Sequence, residues 1–218
     1  MGNFKKLLIG AAVCLGIAQF GVFAAEPAAS GEGGRTGADF SAAKQAIARH
    51  DDRAAAADLR RAAAVLAREA EHAGGDAKAA LVAARTELER SASALDRGTE
   101  QTAHELDRSF ARADHALALA QREQAARSWS EKAYARSGRE MKQAAASLAA
   151  AGDWVGGRTK EAAHAAASGA DAVGDKLASG GHWARDEVAR GFDSLGRGLD
   201  DLGRDLGVHG KARPVSVD

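Results

Sequence analysis

Two short motifs in the chain have the spacing of metal ligands in helical bundles. Glu69-x-x-His72 and Glu161-x-x-His164 each place a carboxylate and an imidazole about one helical turn apart on the same face of a helix. Di-iron carboxylate bundles use this spacing twice, together with one glutamate from each of two further helices. These four residues are the candidate metal ligands, and a metal-binding or di-iron bundle is one alternative for the function.

Other chemical motifs are absent from the sequence. Seven histidines are scattered along the chain, and a solvated charged helix face explains such spacings as well as a metal site does. No serine lies in the Gly-x-Ser-x-Gly motif of hydrolases, and no glycine-rich loop follows a strand as phosphate binding requires. The sequence therefore predicts a non-enzymatic protein with no catalytic residue and no cofactor.

Composition predicts an all-α fold. Apolar residues make up 45% of the 218 residues, much of this is alanine, and only 5% are aromatic. Such a chain buries enough surface only when its helices are closely packed, and the two prolines, Pro27 and Pro214, leave the region between them free to be helical. We expect an antiparallel helical bundle or stacked helical hairpins with a C-terminal amphipathic helix. The 30 basic and 30 acidic residues balance, which argues against a nucleic-acid partner.

The N-terminus has the pattern of a secretory signal peptide. Lys5 and Lys6 precede an apolar run that ends in Val-Phe-Ala, which predicts a signal peptide over 1–24, cleaved after Ala24, and a periplasmic location. Cys14, the only cysteine, lies in this segment, so the mature chain has no thiol for a disulfide or a metal. The glycine-rich, polar residues 25–39 predict a flexible leader.

An internal repeat with an offset of 82 residues spans the predicted hairpin bundle, 40–157. Residues 59–81 align with 141–163, and the alignment pairs Gly74-Gly75 with Gly156-Gly157. Each unit reads as a short helix, a turn near Asp51-Asp52 or Ala133-Tyr134, and a longer helix closed by two glycines. Between the units, Thr102 and Glu105 have the spacing of a capping box for a helix whose Leu106, Phe110 and Leu117 face inward.

The first hairpin resembles a known family. Residues 43–52, Ala-Lys-Gln-Ala-Ile-Ala-Arg-His-Asp-Asp, followed by alanine and leucine at Ala56, Leu59, Ala62, Ala63 and Leu66, look like the helix-turn-helix core of the YfdX family of periplasmic helical proteins. The likeness covers residues about 40–70 and is repeated at about 122–150, and a single tetratricopeptide hairpin is a weaker likeness. It implies a stress-linked, chaperone-like, oligomeric protein and names no catalytic residue.

The C-terminal part, 158–210, is rich in glycine and predicts amphipathic helices, with a tail at 211–218. Its last helix has an apolar stripe in heptad spacing, formed by Val188, Phe192, Leu195, Leu199, Leu202 and Leu206. We call these six residues the leucine stripe. Glycines flank it, which predicts a neighbouring surface at very close approach. The stripe can complete the protein's own bundle, join a second copy, or bind a client or a lipid surface. The lack of excess Lys and Arg disfavours anionic lipid.

From these observations we predict a non-enzymatic periplasmic helical interaction protein, stress-linked and chaperone-like. Its partners are predicted to be itself or other envelope proteins, contacted through the leucine stripe. Besides the metal-binding bundle, a second alternative is a desiccation-type or membrane-surface protectant that gains helix only on drying or at a membrane.

Overall fold

Seven α-helices joined by short turns make up the part of the chain that the structure describes. The computed structural model describes residues 32–99, 101–208, 212 and 214–217. The helices are α1 (Glu32–Ala48), α2 (Asp52–His72), α3 (Gly75–Asp96), α4 (Ala103–Ser130), α5 (Tyr134–Val155), α6 (Gly157–Ala178) and α7 (Arg185–Leu206). The described residues contain no strand, and the prediction of an all-α fold is confirmed.

The structure tests only part of the predictions made for the N-terminus. The signal peptide at 1–24 and the leader up to residue 31 lie outside the described residues. The flexible leader is wrong from Glu32 onward, because α1 begins there. Thr36 and Phe40 of α1 are buried, and the Phe40 ring stacks on that of Phe110 with centroids 4.4 Å apart. Burial of this kind outweighs the cost of about 1 kcal/mol that each glycine brings to a helix.

Each helix packs against the next one along the chain, and α4 also contacts α1, α2 and α7. A single hydrophobic core includes buried residues from all seven helices. The glycine-rich part predicted over 158–210 forms α6 and α7 and shares this core with the part predicted as the hairpin bundle, 40–157. The fold therefore has α4 at its centre.

The offset of 82 residues recurs in the backbone. It separates the first residues of α2 and α5 (Asp52, Tyr134), of α3 and α6 (Gly75, Gly157), and of α4 and α7 (Ala103, Arg185). It also separates the two non-glycine residues with positive φ among the described residues, His50 at 58° and Lys132 at 60°. We call α1–α3 the first layer and α4–α6 the second layer; α7 then stands where a third layer would begin.

Side chains define the helix starts where the sequence offers caps. The Asp51 carboxylate accepts a hydrogen bond from the N–H of Ala54 (3.0 Å) at the start of α2. At the start of α4, the Thr102 hydroxyl accepts from the N–H of Glu105, and the Glu105 carboxylate accepts from the N–H of Thr102. The predicted capping box is confirmed, and it directs Leu106 and Phe110 of the following turns into the core.

Glycine allows the helices of the second layer to approach closely. A Cβ atom on Gly138 of α5 would lie 2.5 Å from the backbone nitrogen of Ala178, at the end of α6. A Cβ atom on Gly198 of α7 would lie 2.7 Å from the Cβ atom of Ala166. Both distances are too short for any larger side chain. Of the glycines beside the leucine stripe, Gly191 and Gly198 mark a close contact with α6, and Gly196 and Gly203 mark one with α4.

Candidate functional site

The most unusual chemical feature of the fold is a set of buried polar side chains on the central helix α4. These are Ser109, Asp114, His115, Gln121, Arg122 and Ser128. Buried polar groups are costly unless they are paired, so each needs a partner from a neighbouring helix. Since α4 contacts α1, α2, α3, α5 and α7, those partners come from several directions.

Asp114 lies between α4 and α5. Its Oδ2 atom accepts a hydrogen bond of 2.9 Å from the indole Nε1–H of Trp154. The Asp114 side chain is almost completely buried, and this burial raises the pKa of the carboxyl from 3.8 to about 7, although the bond from Trp154 acts in the opposite direction. The group therefore exchanges a proton close to neutral pH.

The partner of this carboxyl, Trp154, belongs to a cluster of aromatic rings. The ring of Trp154 meets that of Phe110 edge to face with centroids 5.1 Å apart, and Phe110 in turn stacks on Phe40. The Lys44 ammonium lies 5.1 Å from the centre of a Trp154 ring and donates a hydrogen bond of 2.7 Å to Asp107. A groove of about 410 Å³ opens here between α1 and α5, with Lys44 and Trp154 in its wall. We call it the α1 groove.

His115 faces the opposite neighbour, α7. Its Nε2 atom lies 3.0 Å from the backbone carbonyl oxygen of Leu199. A carbonyl oxygen can only accept, so Nε2 holds the hydrogen and the ring is a donor there. Burial lowers the pKa of His115, with the carbonyl of Leu199 and the charge of Asp200 acting against it, so the ring is neutral at pH 7.

Two arginines of α4 bond to α7 in the same way. Nε of Arg122 donates to the carbonyl oxygen of Phe192 (3.3 Å), and Nη2 of Arg112 donates to that of Leu206 (3.0 Å). Arg122 is nearly buried; burial lowers the pKa of its guanidinium, whereas Asp200 and Asp193 oppose that effect. Side chains of α4 thus hold α7 through carbonyl oxygens spread along its length.

The second half of α4 also borders a groove of about 490 Å³, which we call the α4 groove. Its walls are this half of α4, the turn between α2 and α3, and the C-terminal segment. The residues that line it are Gly74, Gly75, Arg122, Glu123, Ala126, Arg127, Ser130, Pro214, Val215 and Ser216.

The four candidate metal ligands do not meet in one site. Among the residues that the structure describes, no group of three or more His, Cys, Asp or Glu side chains has a geometry that could hold a metal ion. Glu69 accepts a hydrogen bond of 3.2 Å from Gln124, and His72 is exposed at the end of α2. His164 bonds instead to Asp153 (3.0 Å), and Glu161 is exposed near it on α6.

The leucine stripe is inside the fold. All six of its side chains are at most 2% exposed, and α7 lies against α4, α5 and α6. The internal alternative of the sequence analysis is therefore the one found in this structure. The stripe offers no surface for a partner, and the prediction of contacts through it is corrected accordingly.

Sequence reasoning missed Asp114 and its environment. Between Phe110 and Leu119, the polar residues Arg112, Asp114 and His115 stand among small and apolar ones, which is a local sign that polar groups lie in the core. The partner Trp154 is 40 residues away, so no local spacing connects the two residues. Nothing in the spacing of Lys44 or Phe40 connects them to either residue.

Comparison with known proteins gives no independent guide to the site. No protein-family model matches the chain, and neither curated proteins nor solved structures give a match to it. Of the helices in the described part of the chain, none combines the length and the apolar character needed to cross a membrane.

Proposed function

We propose that the chain is a non-enzymatic helical interaction protein of the bacterial periplasm that binds itself or exposed apolar segments of other envelope proteins under stress. The proposed location rests on the signal pattern at 1–24, and the stress role rests on the resemblance to the YfdX family. The observation that supports binding most directly is the α4 groove, of about 490 Å³. Layered helical proteins bind partners along the surfaces that their layers leave open.

The proposed contact surface is this groove rather than the leucine stripe. The groove is lined by the apolar Ala126 and Val215 together with the charged Arg122, and Arg127 and Glu123, which also line it, form an ion pair. A surface that mixes apolar and charged groups is typical of protein contact sites.

The central helix also carries two buried titratable groups. Asp114 has a pKa near 7, and the pKa of His115 is lowered, so the packing of α4 against α5 and α7 changes in strength between acid and neutral pH. Asp114 favours the fold when protonated, whereas protonation of His115 opposes it. The two residues give the α4 packing a pH dependence over this range.

The test of binding is suppression of client aggregation by the purified chain from residue 25 to 218. Light scattering would follow a chemically unfolded model protein diluted into buffer with and without the chain. We expect equimolar chain to reduce the scattering by at least half. Ala126→Arg, which fills the groove, should abolish that effect, and Ala146→Arg, the same change at an exposed position of α5, should leave it intact.

The possible outcomes separate the parts of this proposal. Scattering that is unchanged by the unmodified chain would refute the chaperone-like function. Suppression that survives Ala126→Arg would keep the function and remove it from the groove. Export is tested separately, because the intact mass of protein from a periplasmic extract should begin at Ala25, and a cytoplasmic protein that retains Met1 would refute the location.

A further inference from the structure

The α4 groove is lined by an arginine whose donors are not all used. Arg122 is only 3% exposed, yet it is part of the groove wall. Among the hydrogen bonds of the described residues it makes one, from Nε to the carbonyl oxygen of Phe192. The four N–H donors on its Nη atoms have no partner there, and neither Nη atom is completely enclosed by protein. Since a buried charge with unpaired donors is costly, an acceptor in the groove would stabilise it.

Helix α7 holds this guanidinium from the side opposite the groove. A Cβ atom on Gly196 would lie 3.3 Å from Nη2 of Arg122, so a larger residue there would press on the guanidinium. The charges of Asp193 and Asp200 on α7 act against the lowering of the Arg122 pKa by burial, but neither forms a described ion pair or hydrogen bond with it. The guanidinium is therefore fixed in place with its Nη donors still unpaired.

The first turn of α3 brings backbone donors to the same groove. Gly74 and Gly75, which line the groove, are the N-cap and the first residue of this helix of 22 residues. No side chain caps the helix, and the N–H groups of Gly75, Asp76 and Ala77 have no partner among the described hydrogen bonds. The Asp76 side chain is exposed, and Asp76 does not line the groove. Unpaired N–H groups and the positive end of the helix dipole both favour a negatively charged ligand.

The remaining lining sets the size and the charge of that ligand. Arg127 and Glu123 form an ion pair with each other, so one positive charge, that of Arg122, is left among the lining residues. Ala126 and Val215 supply apolar surface. The groove, of about 490 Å³, falls in the range of small-molecule sites, which is about 300–1,000 Å³. A single anionic group on a short aliphatic chain suits these properties.

We propose that the α4 groove binds a small organic carboxylate with an aliphatic chain. Its oxygens would accept hydrogen bonds from Arg122 and from the first turn of α3, and its chain would lie against Ala126 and Val215. This inference rests on the groove named in the proposed function and gives that groove a small ligand of its own. A bound carboxylate would occupy surface offered to a client, so we expect the two to compete.

The experiment is isothermal titration calorimetry of the chain from residue 25 to 218 at pH 8. The probe is sodium octanoate, and octanamide is the matched control because it has the same chain and no charge. We expect octanoate to bind at one site and octanamide to bind at least tenfold more weakly. Octylammonium, which reverses the charge, should give no binding.

Variants of the two donors test the geometry. Arg122→Gln removes the charge while its amide can still donate to Phe192, and we expect at least tenfold weaker binding of octanoate. Gly74→Asp adds a carboxylate at an N-cap with φ −119° and ψ 171°, where a Cβ atom would have no neighbour within 4 Å. That carboxylate would cap α3 itself, so octanoate should bind at least tenfold more weakly while the melting temperature stays equal or rises. Gly74→Ala, which leaves the N–H groups unpaired, should bind octanoate within threefold of the unmodified chain.

Octanamide that binds as tightly as octanoate would overturn the inference, and so would full affinity in Gly74→Asp. Inorganic phosphate, or an acetylated tripeptide with a free C-terminal carboxylate, would overturn the assignment to a small aliphatic acid by binding at least tenfold more tightly than octanoate. If Arg122→Gln does not fold, the two Gly74 variants decide. The titration contains no client, so its failure leaves the light-scattering test of the proposed function unaffected. Octanoate binding by a chain that does not suppress aggregation would refute the proposed function alone.

Discussion

Replacing Asp114 by asparagine should stabilise the protein at alkaline pH and have little effect at acid pH. The rise of the Asp114 pKa from 3.8 to about 7 corresponds to about 4 kcal/mol, at about 1.36 kcal/mol for each pKa unit. This is the free energy by which burial disfavours the carboxylate relative to the carboxylic acid. Asparagine has no proton to lose, and its Oδ1 atom can still accept the hydrogen bond from Trp154.

The direction of this pH dependence follows from the pH at which the folded and the unfolded chain each release the proton of Asp114. The unfolded chain loses it near pH 3.8, whereas the folded chain keeps it until about pH 7. The contribution of Asp114 to stability is therefore full below pH 3.8, decreases as the pH rises through this window, and is lost above pH 7. The asparagine variant lacks this decrease, so the difference between the two proteins grows from near zero at pH 4 to as much as about 4 kcal/mol at pH 8.

Urea unfolding followed by circular dichroism at pH 4, 6 and 8 measures this difference directly. Asp76→Asn, which removes an exposed carboxylate from the first turn of α3, controls for the loss of one negative charge. The reasoning is refuted if Asp114→Asn changes the free energy of unfolding equally at all three pH values. It is also refuted if the control variant reproduces the pH dependence of Asp114→Asn.

Three further predictions follow from the packing around α4 and α7. Because burial lowers the pKa of His115, its contribution to stability is present above pH 6.5 and is lost as the pH falls through its folded pKa. In urea titrations, the His115→Gln variant should therefore lose less stability between pH 7 and pH 5 than the unmodified chain does. Gly138→Ala should destabilise the fold by about 1–3 kcal/mol because the added Cβ would lie 2.5 Å from a backbone atom. Gly169→Ala, whose added Cβ has its nearest neighbour at 3.6 Å, should stabilise the fold by about 0.5–1 kcal/mol. Thermal melts should therefore show a lower melting temperature for the first variant and a higher one for the second. Leu199→Asp should unfold the chain rather than dissociate an oligomer, so helical circular dichroism should be lost at every concentration, and a folded monomeric variant would contradict the buried stripe.

Most of the fold was predictable because it depends on local rules. The proline-free region, the capping box at Thr102 and Glu105, and the paired glycines each act on neighbouring residues, and the structure has helix starts or ends at those places. The leader prediction failed at α1 for the opposite reason. Glycine content argued against a helix there, but the contact of Phe40 with Phe110 joins residues that are 70 positions apart.

The candidate site was less predictable because it consists of long-range pairs. Asp114 meets Trp154 only once α4 and α5 are packed, and His115 meets Leu199 only once α7 is in place. The motifs at Glu69 and Glu161 have the spacing of metal ligands along the sequence, yet in the fold the two motifs lie beside different residues and do not form one site. Spacing along one helix therefore says little about a site that needs several helices.

The leucine stripe shows how the repeat itself indicates where an amphipathic helix packs. An offset of 82 residues relates three of its positions to apolar residues of α4 that are also buried: Leu106 and Val188, Phe110 and Phe192, and Leu117 and Leu199. Helix α4 has neighbours on both sides, so small residues stand at Ala113 and Ala120, where α7 has Leu195 and Leu202. A helix covered on one side concentrates its large side chains on that side. The regular heptad pattern of α7 therefore fits a helix that packs on the core with one face, whereas α4 packs on neighbours with several.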